Sequence, residues 1–69
     1  MFGKAVRRER LRMKFSQEEL AHRAELDRSY MGQVERGETN ISLMNLIRIA
    51  DALDIGPERL VKGLSLQGV

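Results

Sequence analysis

Residues 16–37, SQEELAHRAELDRSYMGQVERG, decide how this chain folds. Ser16-Gln17-Glu18-Glu19 has the form of a capping box. The serine oxygen accepts from the third helical amide, and the glutamate reaches back to the cap. A helix therefore starts at Gln17, with Leu20, Ala21 and Ala24 on its inner side, and stops near Glu25. Only Glu25-Leu26-Asp27 separates it from the next cap, Asp27. The second helix spans Arg28 to Arg36, with Met31 and Val34 on one buried stripe and Gly37 as its C-terminal cap. Two short helices joined by about three residues have helix-turn-helix geometry.

Outward from this core, Glu38-Thr39-Asn40 forms a polar loop, and Ser42 caps a further helix. Its Leu43, Leu46, Ile47, Ala50 and Leu53 predict an apolar stripe and the central core helix. Gly56-Pro57 restarts the chain, because proline tolerates the first helical position. Leu60, Val61 and Leu64 continue a short last helix, with Ser65 to Val69 as a tail. Toward the N-terminus, Phe2, Val6 and Met13 recur near helical spacing among charged residues, with Leu11 at the flank. They predict a first helix through about Lys14. The expected architecture is all-α: five helices in a single domain over residues 1–69, with the motif at about 17–36.

A 69-residue chain buries too little apolar surface for a wide stability margin. It has no cysteine for disulfides or a thiolate zinc site, and one histidine cannot build a metal centre. His22, among charged neighbours, reads as a surface residue. Dimerisation is the remaining common staple, and Leu60, Val61, Leu64 and Leu66 are too many for so small a domain to bury alone. Residues 57–69 are accordingly expected to hold the dimer contact and tail. The N-terminal stretch carries Lys4, Arg7, Arg8, Arg10 and Arg12 without an apolar run of signal or membrane length, which predicts a cytoplasmic location.

Net charge is only +2, but it is unevenly placed. Residues 1–36 hold nine Lys or Arg against six Asp or Glu, and residues 37–69 hold three against four. A basic N-terminal part suits a phosphate-facing surface and equally suits an ordinary solvated one.

Three segments together carry a family resemblance: Ser16-Gln17-Glu18-Glu19-Leu20-Ala21, Glu35-Arg36-Gly37 and Ile49-Ala50-Asp51-Ala52-Leu53. Through them nearly the whole chain resembles the Cro and phage-repressor type of helix-turn-helix proteins. Asn40-Ile41-Ser42-Leu43 with Asn45-Leu46 is further similar to the controller proteins of restriction-modification operons. The resemblance implies a compact five-helix, lambda-repressor-like domain. It also implies a transcriptional regulator that binds double-stranded DNA as a homodimer, with helix 28–36 in the major groove. A twofold dimer sets two such helices about 34 Å apart, matching successive major grooves of a palindromic site.

With Met31 and Val34 inward, Arg28, Ser29, Gly32, Gln33 and Arg36 face outward as the base-reading set, with Tyr30 at the edge. Arg28 suits guanine and Gln33 suits adenine, while Ser29 serves base or phosphate and Arg36 suits phosphate as well as base. Gly32 costs about 1 kcal/mol inside a helix, so a close neighbour is expected, either a base edge or another helix. Phosphate contacts are expected from Gln17, Tyr30, Thr39, Asn40 and Ser42, of which Ser42 also reads as a plain cap. The resemblance also implies an internal Arg10–Glu35 ion pair, and glycines where this chain has Lys14, Glu25 and Asp54. Glu9 falls where the resemblance implies an apolar residue, so the first helix is expected either to pack less tightly or to turn Glu9 toward Arg12 or Met13.

The rival reading is an antitoxin-like module that uses the same fold to hold a partner protein. A basic amphipathic first helix at a membrane is disfavoured by the capped helices downstream. An enzyme is not expected, since there is no nucleophile with an adjacent base, no paired carboxylates at a pocket and no phosphate loop. Neither a cofactor nor a small-molecule ligand is indicated.

Overall fold

Five helices run in the order α1 (Phe2–Arg12), α2 (Gln17–Ala24), α3 (Arg28–Arg36), α4 (Leu43–Ala52) and α5 (Glu58–Ser65). The computed structural model describes residues 2–65, with side chains described through residue 61, and contains no strand among them.

The starts of the helices follow from their caps, with two departures from expectation. Ser16 Oγ accepts from the Glu19 amide at 3.0 Å, and Ser42 Oγ accepts from the Asn45 amide at 3.1 Å. Glu19 does not complete the capping box; its carboxylate instead accepts from Arg23 Nε at 2.6 Å, one turn along α2. Asp27 occupies the N-cap of α3 in extended conformation but makes no side-chain cap bond.

The ends of the first four helices share one device. Lys14, Glu25, Gly37 and Asp54 all take positive φ, at 63°, 60°, 73° and 59°. The following amide then bonds back five residues: Phe15 to Arg10, Leu26 to Ala21, Glu38 to Gln33 and Ile55 to Ala50, at 2.8–3.1 Å. These are Schellman closures, which satisfy carbonyls that the helix end would otherwise orphan. Glycine is at home in the left-handed region; a side chain there costs about 1 kcal/mol. Phe15, Leu26 and Ile55 offset that cost by packing against the core just past the turn. Glu25 is exposed, and its ion pair with Arg48 is long, at 3.7 Å. Glu25→Gly should therefore stabilise the domain by a few tenths to about 1 kcal/mol in urea unfolding; a loss would contradict the closure.

α1 packs on α3 and α5, while α2 packs on α3 and α4. Val6, Leu20, Met31, Ile49, Leu53 and Leu60 are fully buried at the centre. The α4 stripe is rotated from the expected one: Leu46, Ile49, Ala50 and Leu53 are inside, whereas Leu43 and Ile47 are 71% and 37% exposed. Both sets have helical spacing, and the inner set is the one that includes Ile49. Gly3 sets how closely α1 meets α3, because an added methyl would collide with the carbonyl oxygens of Val34 and Glu35.

Glu9 is 2% exposed, sits at the junction of α1 and α5, and is turned toward Arg12, one of the directions expected of it. Its carboxylate accepts from Arg12 Nε at 2.9 Å and Arg59 Nη2 at 3.4 Å, with Arg8 Nε at 3.7 Å. Burial pushes the Glu9 pKa up. The Arg12 bond and the Arg59, Arg12 and Arg8 charges outweigh burial and hold it below the ordinary carboxylate value of 4.5. The charged form is thus favoured by folding, so its contribution is complete above the unfolded pKa and is lost as pH falls through the lower folded one. At neutral pH Glu9→Gln should cost about 1–3 kcal/mol. The gap from the parent should close on acidification below pH 4.5; a gap of constant size would rule out the charge as its source.

Candidate nucleic-acid interface

The roll of α3 about its own axis is set from behind by an ion pair. Arg10 Nε and Nη2 donate to the two oxygens of Glu35 at 2.7 and 3.0 Å, and Arg10 Nη1 donates to the Phe15 carbonyl at 2.9 Å. The two side chains are 10% and 3% exposed. Together with Met31 and Val34, Glu35 fixes which side of α3 faces inward. The remaining positions are thereby turned outward.

Arg28, Ser29, Gln33 and Arg36 are all exposed on that outer side. They lie in two rows, Arg28–Gly32–Arg36 and Ser29–Gln33, because residues four apart are neighbours on a helix surface. Gly32 departs from expectation: it is buried, and what covers it is the Arg36 guanidinium. A β-carbon at residue 32 would lie 3.0 Å from Arg36 Nη1. The close neighbour of this glycine is thus a side chain of its own helix.

Gln17 opens α2 beside this face. Its Nε2 donates to Glu35 Oε1 at 3.1 Å, so the buried pair also orients Gln17. The second Nε2 hydrogen and the Gln17 main-chain amide, at the first helical position, lie at the positive end of the α2 dipole. Tyr30 is half-buried, and its hydroxyl oxygen accepts from Asn45 Nδ2 at 3.1 Å, leaving the O–H hydrogen to donate. Thr39, Asn40 and Ser42 are exposed in the loop and cap after α3. Ser42 Oγ, engaged as the α4 cap acceptor, keeps its hydrogen for an outside acceptor. The result is an exposed row of base-type donors on α3, flanked by polar groups at the starts of α2 and α4.

A second expected site residue, besides Gly32, is corrected. Leu60 has no exposed surface and belongs to the core of the protomer, where α5 meets α1, so it cannot face a second copy. Val61 is half-buried against that core. Leu64 and Leu66 lie outside the residues whose side chains are described. Among the described residues, the large apolar side chains left in solvent are instead Leu43, Met44 and Ile47 on α4, with Leu11 on α1. Sequence periodicity missed this because it assigned Leu43 and Ile47 to the core. It also overlooked Glu38, whose carboxylate is 2.9 Å from Arg36 Nε; a glutamate two residues after an arginine, across a glycine cap, was the available signal.

The helix-turn-helix family model matches residues 6–60, all but the edges of the domain. The chain belongs to the helix-turn-helix family. It is 42% identical over 62 residues to the control protein C.BamHI of Bacillus amyloliquefaciens, covering 88% of this chain and 76% of that one. Its structure superposes with a TM-score of 0.85 on the restriction-modification controller protein C.AhdI from Aeromonas hydrophila. That pair is 51% identical and spans 86% of this chain and 89% of the other. The P22 c2 repressor protein, solved with synthetic operator 9T, matches with a TM-score of 0.84 at 30% identity, over 91% and 96% of the two chains. The expected five-helix repressor-like fold is therefore the fold of this helix-turn-helix protein. No helix among the described residues is long and apolar enough to cross a membrane.

Proposed function

We infer that this chain is a transcriptional regulator that binds double-stranded DNA sequence-specifically, as a homodimer, with α3 in the major groove. The observation that carries the reading is the two-sided character of α3. Met31, Val34 and Glu35 lock one side into the scaffold, and Arg28, Ser29, Gln33 and Arg36 stand exposed on the other. Arg28 has the paired donors that match guanine O6 and N7, and the Gln33 amide has the donor and acceptor that match adenine. Gln17, Tyr30, Thr39, Asn40 and Ser42 surround this face with groups that hold phosphates and fix register. Kinship with control and repressor proteins, one of them solved on its operator, supports the same reading.

A second copy is the partner that best suits the apolar surface. Leu43, Met44 and Ile47, with Met44 61% exposed, form a patch on α4 at one end of which α3's loop arrives. Burying it across a twofold axis adds the apolar area that so short a chain lacks and places two copies of α3 on one face of the duplex.

Selection of bound duplexes from random DNA tests the proposal. A twofold-symmetric site with half-site centres about 34 Å apart should be enriched. Retention of all sequences alike, with only a salt-dependent affinity, would contradict it.

A further inference from the structure

Arg36 does not extend away from α3. Its guanidinium lies back along the helix above Gly32, with Cζ and Nη2 each 3.7 Å from where a β-carbon on residue 32 would stand. A β-carbon there, 3.0 Å from Nη1, would make the guanidinium shift by a few tenths of an ångström, and a longer side chain would compete for its place. The other end of the arrangement is Glu38, whose Oε2 forms an ion pair with Arg36 Nε at 2.9 Å. The bond favours the charged form of each partner: hydrogen bonding to Glu38 raises Arg36, and the bond from Arg36 lowers Glu38.

Glu38 is planted by backbone. Gly37 takes φ 73°, and the Glu38 amide closes on the Gln33 carbonyl at 2.9 Å. At the ends of α1, α2 and α4 the equivalent residue is Phe15, Leu26 or Ile55, each packed against the core. At the end of α3 it is an exposed carboxylate. A glycine inside a helix and a negative charge beside a phosphate-facing surface are both unfavourable locally, and both converge on one side chain.

We propose that Glu38 is a positioning residue that, with the Gly32 notch, fixes Arg36 as a guanine-reading fork on α3. The inference rests on α3 being the DNA-reading helix. With Nε engaged by Glu38, the Nη1 and Nη2 hydrogens remain as two parallel donors, the set that suits guanine O6 and N7. Glu38 also offsets the charge that would otherwise draw this flexible arginine onto any nearby phosphate. The arrangement gives up general affinity for a choice between bases.

Random-duplex selection with the full chain, Arg36→Ala, Glu38→Gln and Gly32→Ala, followed by salt titration on the selected site, tests this. Arg36→Ala should erase a guanine preference at one base pair of each half-site. Glu38→Gln should weaken that same preference by about tenfold while tightening binding to unrelated duplexes and steepening the salt slope by about one. Gly32→Ala should relax the same base pair while leaving helix content intact, and Glu38→Asp should restore part of the preference. A role confined to steadying the helix end would lower the melting temperature without moving base preference. The proposal is overturned if Arg36→Ala weakens all sequences equally, or if Glu38→Gln leaves the Arg36-dependent preference unchanged. Failure of the parent chain to enrich any duplex would instead bring down the reading of α3 itself, and this proposal with it.

Discussion

Replacing Glu35 by alanine should cost about 3–5 kcal/mol, because it leaves the Arg10 guanidinium without its partner in a site only 10% exposed. Small domains are stable by about 5–15 kcal/mol, so a loss of this size removes much of the margin. Arg10 would keep only its bond to the Phe15 carbonyl, and Gln17 Nε2 would lose its acceptor. The effect reaches function through geometry, since Glu35 is the polar anchor that sets the roll of α3 and the orientation of Gln17. Urea unfolding followed by circular dichroism measures it. The paired exchange Arg10→Met with Glu35→Leu should recover most of the loss, because apolar side chains need no counter-charge. A cost below about 1 kcal/mol for Glu35→Ala would mean that the pair behaves as an exposed one.

Leu60→Ala should cost about 2–5 kcal/mol, the range for emptying a fully buried leucine site. Its side chain has no exposed surface and joins α5 to the central core with Val6. The loss therefore falls on the protomer and should be seen at concentrations too low for association. Leu43→Ala and Met44→Ala remove side chains already in solvent, so they should weaken association with little change in the protomer's own stability. Sedimentation and urea unfolding together separate the two classes. Leu60→Ala acting only on association would return Leu60 to a subunit interface.

The helices of the motif were legible in the sequence because local signals agreed. Ser16 caps α2, Gly37 closes α3, and the Met31–Val34 stripe fixes the inner side of α3. The exposed set Arg28, Ser29, Gln33 and Arg36 followed from that stripe. Periodicity could not decide α4, where Leu43, Met44, Leu46, Ile47 and Ile49 crowd so much apolar surface that two stripes have helical spacing. Only packing against α2 selects Leu46, Ile49, Ala50 and Leu53. Leu60 was misassigned for a related reason: counting apolar residues near the C-terminus does not reveal which of them α1 covers. For Glu9 the near partner, Arg12, lies one helical turn along the sequence, whereas Arg59, 50 residues away, follows only from the packing of α5 on α1. The fold of Arg36 over Gly32 depends on side-chain conformation, which a helical pattern does not encode.

The most direct measurement of the central claim is the binding of Gln33→Ala and Arg28→Ala to the selected duplex and to its single-base variants. If α3 reads base edges, each substitution should abolish discrimination at one base position, worth about 1–3 kcal/mol, and leave preference elsewhere intact. If both variants instead lose affinity evenly across all duplexes, these side chains hold phosphates, and α3 is not the element that reads sequence.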